Sequence, residues 1–164
     1  MQKLAILCVD DEEVILESLE AELSLAFQDK YELEFCSNPI DALELAEELE
    51  LAVVISDYIM PQMTGDELLI KLNKQNPKAK KLMLTGQSRM DGVSRAINHA
   101  NLYRYLEKPW DGRDLIMTIR QAVQSYRDEQ QLKIQNEQLL GMNEKLESQV
   151  LERTQDLENA LRKL

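Results

Sequence analysis

The chain has 164 residues, enough for one domain with a sizeable core and some surplus, but short for two ordinary domains. A net charge of −11 argues against direct nucleic-acid binding as a primary role. No apolar run is long enough to cross a membrane, which predicts a cytoplasmic protein. The charge is uneven: residues 1–60 hold 16 acidic against 2 basic side chains, whereas residues 61–164 hold 14 against 17.

Residues 4–9 form an unbroken apolar run that ends in Asp10-Asp11-Glu12-Glu13. Val14, Ile15, Leu19, Leu23 and Phe27 then fall at helical spacing, so a strand, an acidic turn and a helix are predicted. Residues 31–36 alternate apolar and polar side chains, as a strand near a sheet edge does. Ser37-Asn38-Pro39 supplies a cap and a first-turn proline for a helix through Glu48, with Ile40, Ala42, Leu43, Leu45 and Ala46 on its apolar face. Residues 51–55 are apolar without alternation, which predicts a strand covered on both faces and leading to Asp57. Pro61 stops that strand, and Gly65 offers a flexible point before a helix near residues 65–75. A strand at 81–85, a helix near 88–99, a strand at 102–106 and a helix from about Asp111 complete the series.

Five alternations of strand and helix predict one α/β domain with a parallel sheet and right-handed crossovers. The strand order 2-1-3-4-5 is taken by analogy with flavodoxin-like doubly wound sheets. Cys8 and Cys36 fall in strands without metal-binding or disulfide-scaffold spacing and are read as small buried thiols in a reducing compartment. The seven methionines read as core fillers, and the lone His99 as a surface or helix-end residue rather than a phosphorelay histidine.

Ligand sites in such sheets lie at the strand carboxyl ends. Asp10-Asp11 follows the first strand, Asp57 the third, Thr85 the fourth and Lys108 the fifth. Singly, each has an ordinary explanation: a loop carboxylate, an acidic helix start, a turn threonine, a surface lysine. Their occurrence at equivalent topological places is what those explanations leave out. Three clustered carboxylates repel one another unless a cation holds them ionised, and a hard ion with oxygen ligands such as Mg²⁺ does this. An ionised Asp57 can attack phosphorus, Lys108 can neutralise the phosphoryl oxygens, and the Thr85 hydroxyl can donate to one of them. Gly86 leaves room for a phosphodonor or a water.

Asp10-Asp11, Asp57-Tyr-Ile-Met-Pro61 with Gly65, Leu84-Thr85-Gly86 and Tyr105-Leu-Glu-Lys108-Pro109-Trp110 together resemble a response-regulator receiver domain of two-component signalling. The resemblance covers residues 1–125. It implies that Asp57 accepts a phosphoryl group from a sensor histidine kinase or phosphotransfer protein. It also implies that Asp11, Asp57 and the Ile59 carbonyl bind Mg²⁺ directly while Asp10 helps through water. By the same resemblance Thr85 and Tyr105 form the switch, and Ile59 and Gln87 tune dephosphorylation. An apolar Ile59 cannot hydrogen-bond an attacking water, so no special acceleration is expected. Such a module is no enzyme beyond its own phosphorylation and dephosphorylation. The alternatives are a degenerate receiver used for docking, and a haloacid-dehalogenase-like phosphatase. The latter normally has a second aspartate two residues past the nucleophile, where this chain has Ile59. No GxxxxGK[ST] or GxGxxG pattern supports a nucleotide-dependent kinase.

Residues 126–164 contain a heptad pattern: Leu132, Leu139 and Leu146 at one seam position, and Asn136, Asn143, Val150, Leu157 and Leu164 at its companion. Buried Asn at such positions fixes register and dimer number, which favours a parallel homodimeric coiled coil over a helix folded back on its own domain. Arg153 and Ala160 continue the leucine series, and Arg153 weakens the seam locally. An earlier stripe of Ile116, Ile119, Val123 and Tyr126 is one residue out of phase, so the first part of the helix faces the sheet. One helix from Asp111 onward would reach roughly 80 Å. The segment resembles connectors between receivers and output domains, so an output domain beyond Leu164 or a separate partner is expected.

Overall fold

The computed structural model describes residues 2–86 and 90–164. Five parallel strands, β1 (Leu4–Val9), β2 (Glu32–Cys36), β3 (Glu50–Asp57), β4 (Lys80–Thr85) and β5 (Leu102–Glu107), lie in the order β2-β1-β3-β4-β5. They alternate with α1 (Glu13–Phe27), α2 (Pro39–Glu48), α3 (Gly65–Gln75), α4 (Met90–His99) and α5 (Gly112–Arg162). The chain divides into two compact units, one ending at Tyr126 and the other running Arg127–Leu164.

Alternation along each strand sends successive side chains to opposite sides of the sheet. From β1, Ile6 and Cys8 enter a core layer with Leu19 and Leu23 of α1 and Leu115, Ile119 and Val123 of α5. Leu7 and Val9 enter the other, with Ala42 and Ala46 of α2, Leu68, Leu69 and Leu72 of α3, and Val93 and Ala96 of α4. Both faces of the central strands are therefore covered, which is why β1, β3 and β4 lack alternation in the sequence.

Local signals account for several element ends. The Asn38 side chain accepts from the backbone N–H of Ile40 at 2.8 Å and, more weakly, of Asp41 at 3.4 Å, with Pro39 in the first turn of α2. Gly65 begins α3, yet no described glycine has a positive φ. Its role is room, not the conformational freedom expected from sequence. An added Cβ would fall on the Asp57 carbonyl oxygen, with the carbonyl carbon at 2.9 Å and the Tyr58 Cα at 3.0 Å.

Several expectations need correction. Cys8 is buried, but Cys36 is only half-buried because β2 is an edge strand. Val14 lies on the exposed side of α1, and Leu16 takes the core position. Met60, Met63 and Met83 fill the core, whereas Met90, Met117 and Met142 are exposed on helices. Lys81 was not singled out, yet it is wholly buried. Its Nζ donates to the Asn73 side-chain oxygen at 2.9 Å and the Ala79 carbonyl at 2.8 Å. A buried ammonium is tolerable only with such oxygens around it.

Candidate functional site

The chain leaves β1 toward β2 on one side and returns to β3 on the other, so a crevice opens between the carboxyl ends of β1 and β3. Asp10 lies just past β1 and Asp57 ends β3, so their carboxylates flank that crevice. Asp10 and Asp57 are buried, and Asp11 is the most exposed of the three acids. One oxygen from each of Asp10, Asp11 and Asp57 lies within 4.8 Å of the others.

Lys108, just past β5, ties the group together. Its Nζ lies 3.0 Å from Asp10 Oδ2 and 3.0 Å from Asp57 Oδ1. Bonds to backbone groups hold Lys108, Asp10 and Asp57. The Lys108 N–H donates to the Thr85 carbonyl at 2.8 Å, the Asp10 N–H to the Cys36 carbonyl at 3.2 Å, and the Glu12 N–H to Asp10 Oδ1 at 2.9 Å. Asp57 Oδ1 also accepts from the Tyr58 N–H at 2.8 Å.

The electrostatics follow from that packing. Burial pushes the Asp57 carboxyl above its ordinary range, opposed by the hydrogen bond from Lys108 and reinforced by the charge of Asp10. Burial acts to lower the Lys108 ammonium, but its bonds to Asp10 and Asp57 outweigh this and raise it. A carboxyl raised in the folded state destabilises the fold when ionised. That cost grows as pH rises through the folded value, and it disappears below the unfolded value. Asp57→Asn is therefore expected to raise Tm by a few degrees at pH 7 in the presence of chelator. The gain should shrink as pH falls through the carboxylate range, as thermal melts from pH 7 to 4 would read.

Thr85 ends β4 and is buried, with its hydroxyl donating to the Gly86 carbonyl at 3.0 Å. An added Cβ at Gly86 would meet nothing within 4 Å, so there is open space beside Thr85. Tyr105 lies in β5 opposite Met83, with its ring partly exposed. Ile59 lies in the loop after β3 with a 55% exposed side chain. Gln87 falls outside the described residues. His99 is the exposed last residue of α4.

Sequence reasoning passed over Asp66 and Tyr58. Asp66, in the first turn of α3, is wholly buried, and Arg95 Nε of α4 lies 3.3 Å from its Oδ2. The sequence offered only a common first-turn acid, which is ordinarily solvated.

The family model for the response regulator receiver domain matches residues 6–120. The hydrogenase transcriptional regulatory protein HoxA of Bradyrhizobium diazoefficiens is 31% identical over 122 residues, 74% of this chain and 24% of that protein. This chain therefore spans about a quarter of that relative's length. Among solved structures, the signal receiver domain of an HD domain-containing protein from Pseudomonas fluorescens Pf-5 is 37% identical, with a TM-score of 0.74 over 80% of this chain and 94% of that one. A CheY-like response regulator receiver domain protein from Methanospirillum hungatei JF-1 is 31% identical, with a TM-score of 0.71 over 79% and 99%. With its order of strands and the acid cluster at their carboxyl ends, the chain belongs to the response regulator receiver domain family of two-component signalling.

Proposed function

We propose that this receiver is a phosphorylation-controlled switch whose acceptor is Asp57. The observation that carries the reading is Lys108 Nζ at 3.0 Å from both Asp10 and Asp57 at the crevice between β1 and β3. A purely structural ion pair would need one carboxylate. Here two are gathered around the ammonium with a third beside them, at a cost in charge repulsion.

The donor set fits Mg²⁺, since Asp10, Asp11 and Asp57 offer oxygens only, close together and net anionic beyond what Lys108 neutralises. Asp11 and Asp57 with the Ile59 carbonyl would hold the ion directly, and Asp10 through water. When bound, Mg²⁺ supplies charge neutralisation between the carboxylates and the phosphoryl oxygens. An Asp57 oxygen attacks phosphorus as the bond from phosphorus to the donor's imidazole nitrogen breaks, and that imidazole leaves to take up a proton from solvent. Lys108 stays near the reacting carboxylate and screens the equatorial oxygens. The Thr85 hydroxyl, held by a weak local bond to Gly86, turns to donate to one of those oxygens. Tyr105, partly exposed on β5, follows into the space behind it. The phosphoryl donor is the histidine of a sensor kinase or a phosphotransfer protein, and the protein catalyses no reaction beyond its own phosphoryl cycle.

The unit Arg127–Leu164 is read as a parallel coiled-coil dimerisation helix. Every residue from Gln131 to Leu164 is exposed in the single chain, including Leu132, Leu139, Leu146, Val150 and Leu157 along the heptad seam. A regular apolar seam left open over several turns calls for a partner, and a second copy supplies the matching pattern. Through that helix the phosphorylation signal reaches an output beyond Leu164 or on another chain.

The reading is tested by the rate of adduct formation with acetyl phosphate and Mg²⁺. Lys108→Ala should slow phosphorylation by about a hundredfold or more, the usual cost of removing one preorganised charge-stabilising donor. An unchanged rate would remove Lys108 from the mechanism.

A further inference from the structure

We propose that α4 is latched to the loop after Asp57 by two contacts, the Tyr58 ring seated on Gly92 and the Asp66 carboxylate held by Arg95. The latch would report the state of Asp57 to α4. Its regulatory use rests on the phosphoacceptor reading above, but the latch itself does not.

The first contact starts at the acceptor. The Tyr58 N–H donates to Asp57 Oδ1 at 2.8 Å, and the Tyr58 carbonyl accepts from the Gly65 N–H at 2.7 Å where α3 begins. The same residue's ring runs to α4, where an added Cβ at Gly92 would fall on it, with Cζ at 2.6 Å. Only glycine leaves the ring its seat. A change in what Asp57 Oδ1 accepts therefore acts on the Tyr58 backbone, and the ring carries the displacement to α4. Interiors pack too densely to absorb such a shift locally.

The second contact gives α4 a reason to stay. Asp66 is wholly buried, and neither of its oxygens has a hydrogen-bond partner among the described residues. Arg95 Nε at 3.3 Å supplies the opposing charge, from a side chain that is itself 54% exposed. A buried carboxylate without a cation is costly, so moving α4 away from α3 requires water to reach Asp66. That makes two arrangements favourable, docked or hydrated, rather than a continuum. Weakening either contact shifts the balance between them.

Hydrogen exchange by mass spectrometry on the full chain tests this without phosphate or metal. Asp57→Ala, which removes the shorter of the two acceptors of the Tyr58 N–H and leaves it only the Leu84 carbonyl at 3.3 Å, should speed exchange across residues 90–99 by about fivefold or more, the low end of ordinary coupling between sites. In a Tyr58→Ala background, or Tyr58→Leu should that variant fold poorly, Asp57→Ala should add nothing further. Arg95→Gln should speed exchange in 90–99 while residues 4–9 of β1 stay protected, and Arg95→Lys should restore part of the protection. Equal effects of Asp57→Ala with and without Tyr58, or an α4 indifferent to Arg95→Gln, would overturn the latch. Adding acetyl phosphate and Mg²⁺ extends the test: α4 exchange should change in the wild type but not in Tyr58→Ala carrying the same adduct. Absence of any adduct would refute the phosphoacceptor reading while leaving the metal-free results to decide the latch.

Discussion

Gly65→Ala should lower the stability of the domain by about 2–3 kcal/mol and impair phosphorylation, although Gly65 contributes no reacting atom. The added methyl would run into the peptide group that joins Asp57 to Tyr58, meeting the Asp57 carbonyl oxygen and carbon and the Tyr58 Cα. No side-chain rotation relieves such a clash, so the β3–α3 loop must move. That loop carries the Tyr58 N–H to Asp57 Oδ1 and the Gly65 N–H to the Tyr58 carbonyl. Loss of loop geometry therefore displaces the acceptor itself. Urea unfolding should show a lower midpoint with an unchanged slope. Gly86→Ala is the control, since open space surrounds that Cα and its stability should change little.

The second large effect concerns the helix beyond Tyr126. Leu139 and Leu146 are 57% and 53% exposed in the single chain, yet they stand one heptad apart on the seam. If two copies pair along that seam, each leucine packs against its counterpart, and Leu139→Asp with Leu146→Asp places four carboxylates in a dry interface. Large-to-small changes alone cost about 2–5 kcal/mol at a buried leucine, and charge adds to this. The dimer dissociation constant should rise by at least about a thousandfold, converting a dimer to a monomer in sedimentation velocity at micromolar concentration. A wild-type monomer at that concentration would contradict the coiled-coil reading. The receiver should keep its fold in the variant, because α5 packs on the sheet through Leu115, Ile119, Val123 and Tyr126, upstream of the substitutions.

Much of this fold was legible because its signals are local. An apolar run without alternation, as in residues 51–55, can only be a strand with both faces covered if it is a strand at all. Acidic or hydroxyl residues placed just after such runs then fall at one edge of the sheet. Asp10, Asp11, Asp57, Thr85 and Lys108 follow from strand ends and parallel direction, with no knowledge of side-chain packing. What the sequence could not give depends on which helix meets which. Asp66 looks like any first-turn acid, and only the approach of α4 makes it buried and paired with Arg95. Gly92 carries no signal of its own in the helix predicted near 88–99, yet the Tyr58 ring occupies the space its side chain would take. Lys81 merely opens the strand predicted at 81–85, and only the fold brings Asn73 and the Ala79 carbonyl to its buried ammonium. Even Gly65, correctly placed at a helix start, serves by lacking a Cβ and not as the flexible point its sequence context suggests.

The proposed switch depends on Asp57 taking up a phosphoryl group with the help of a divalent cation. Its most direct test is the intact mass of the full chain after incubation with acetyl phosphate and Mg²⁺, beside Asp57→Asn and a sample with chelator. A single phosphoryl adduct on the wild-type chain, absent from Asp57→Asn and from the chelated sample, is the predicted result. An adduct that survives Asp57→Asn, or a wild-type chain that stays unmodified while Mg²⁺ also fails to bind, would contradict the account and favour a docking role for the acidic site.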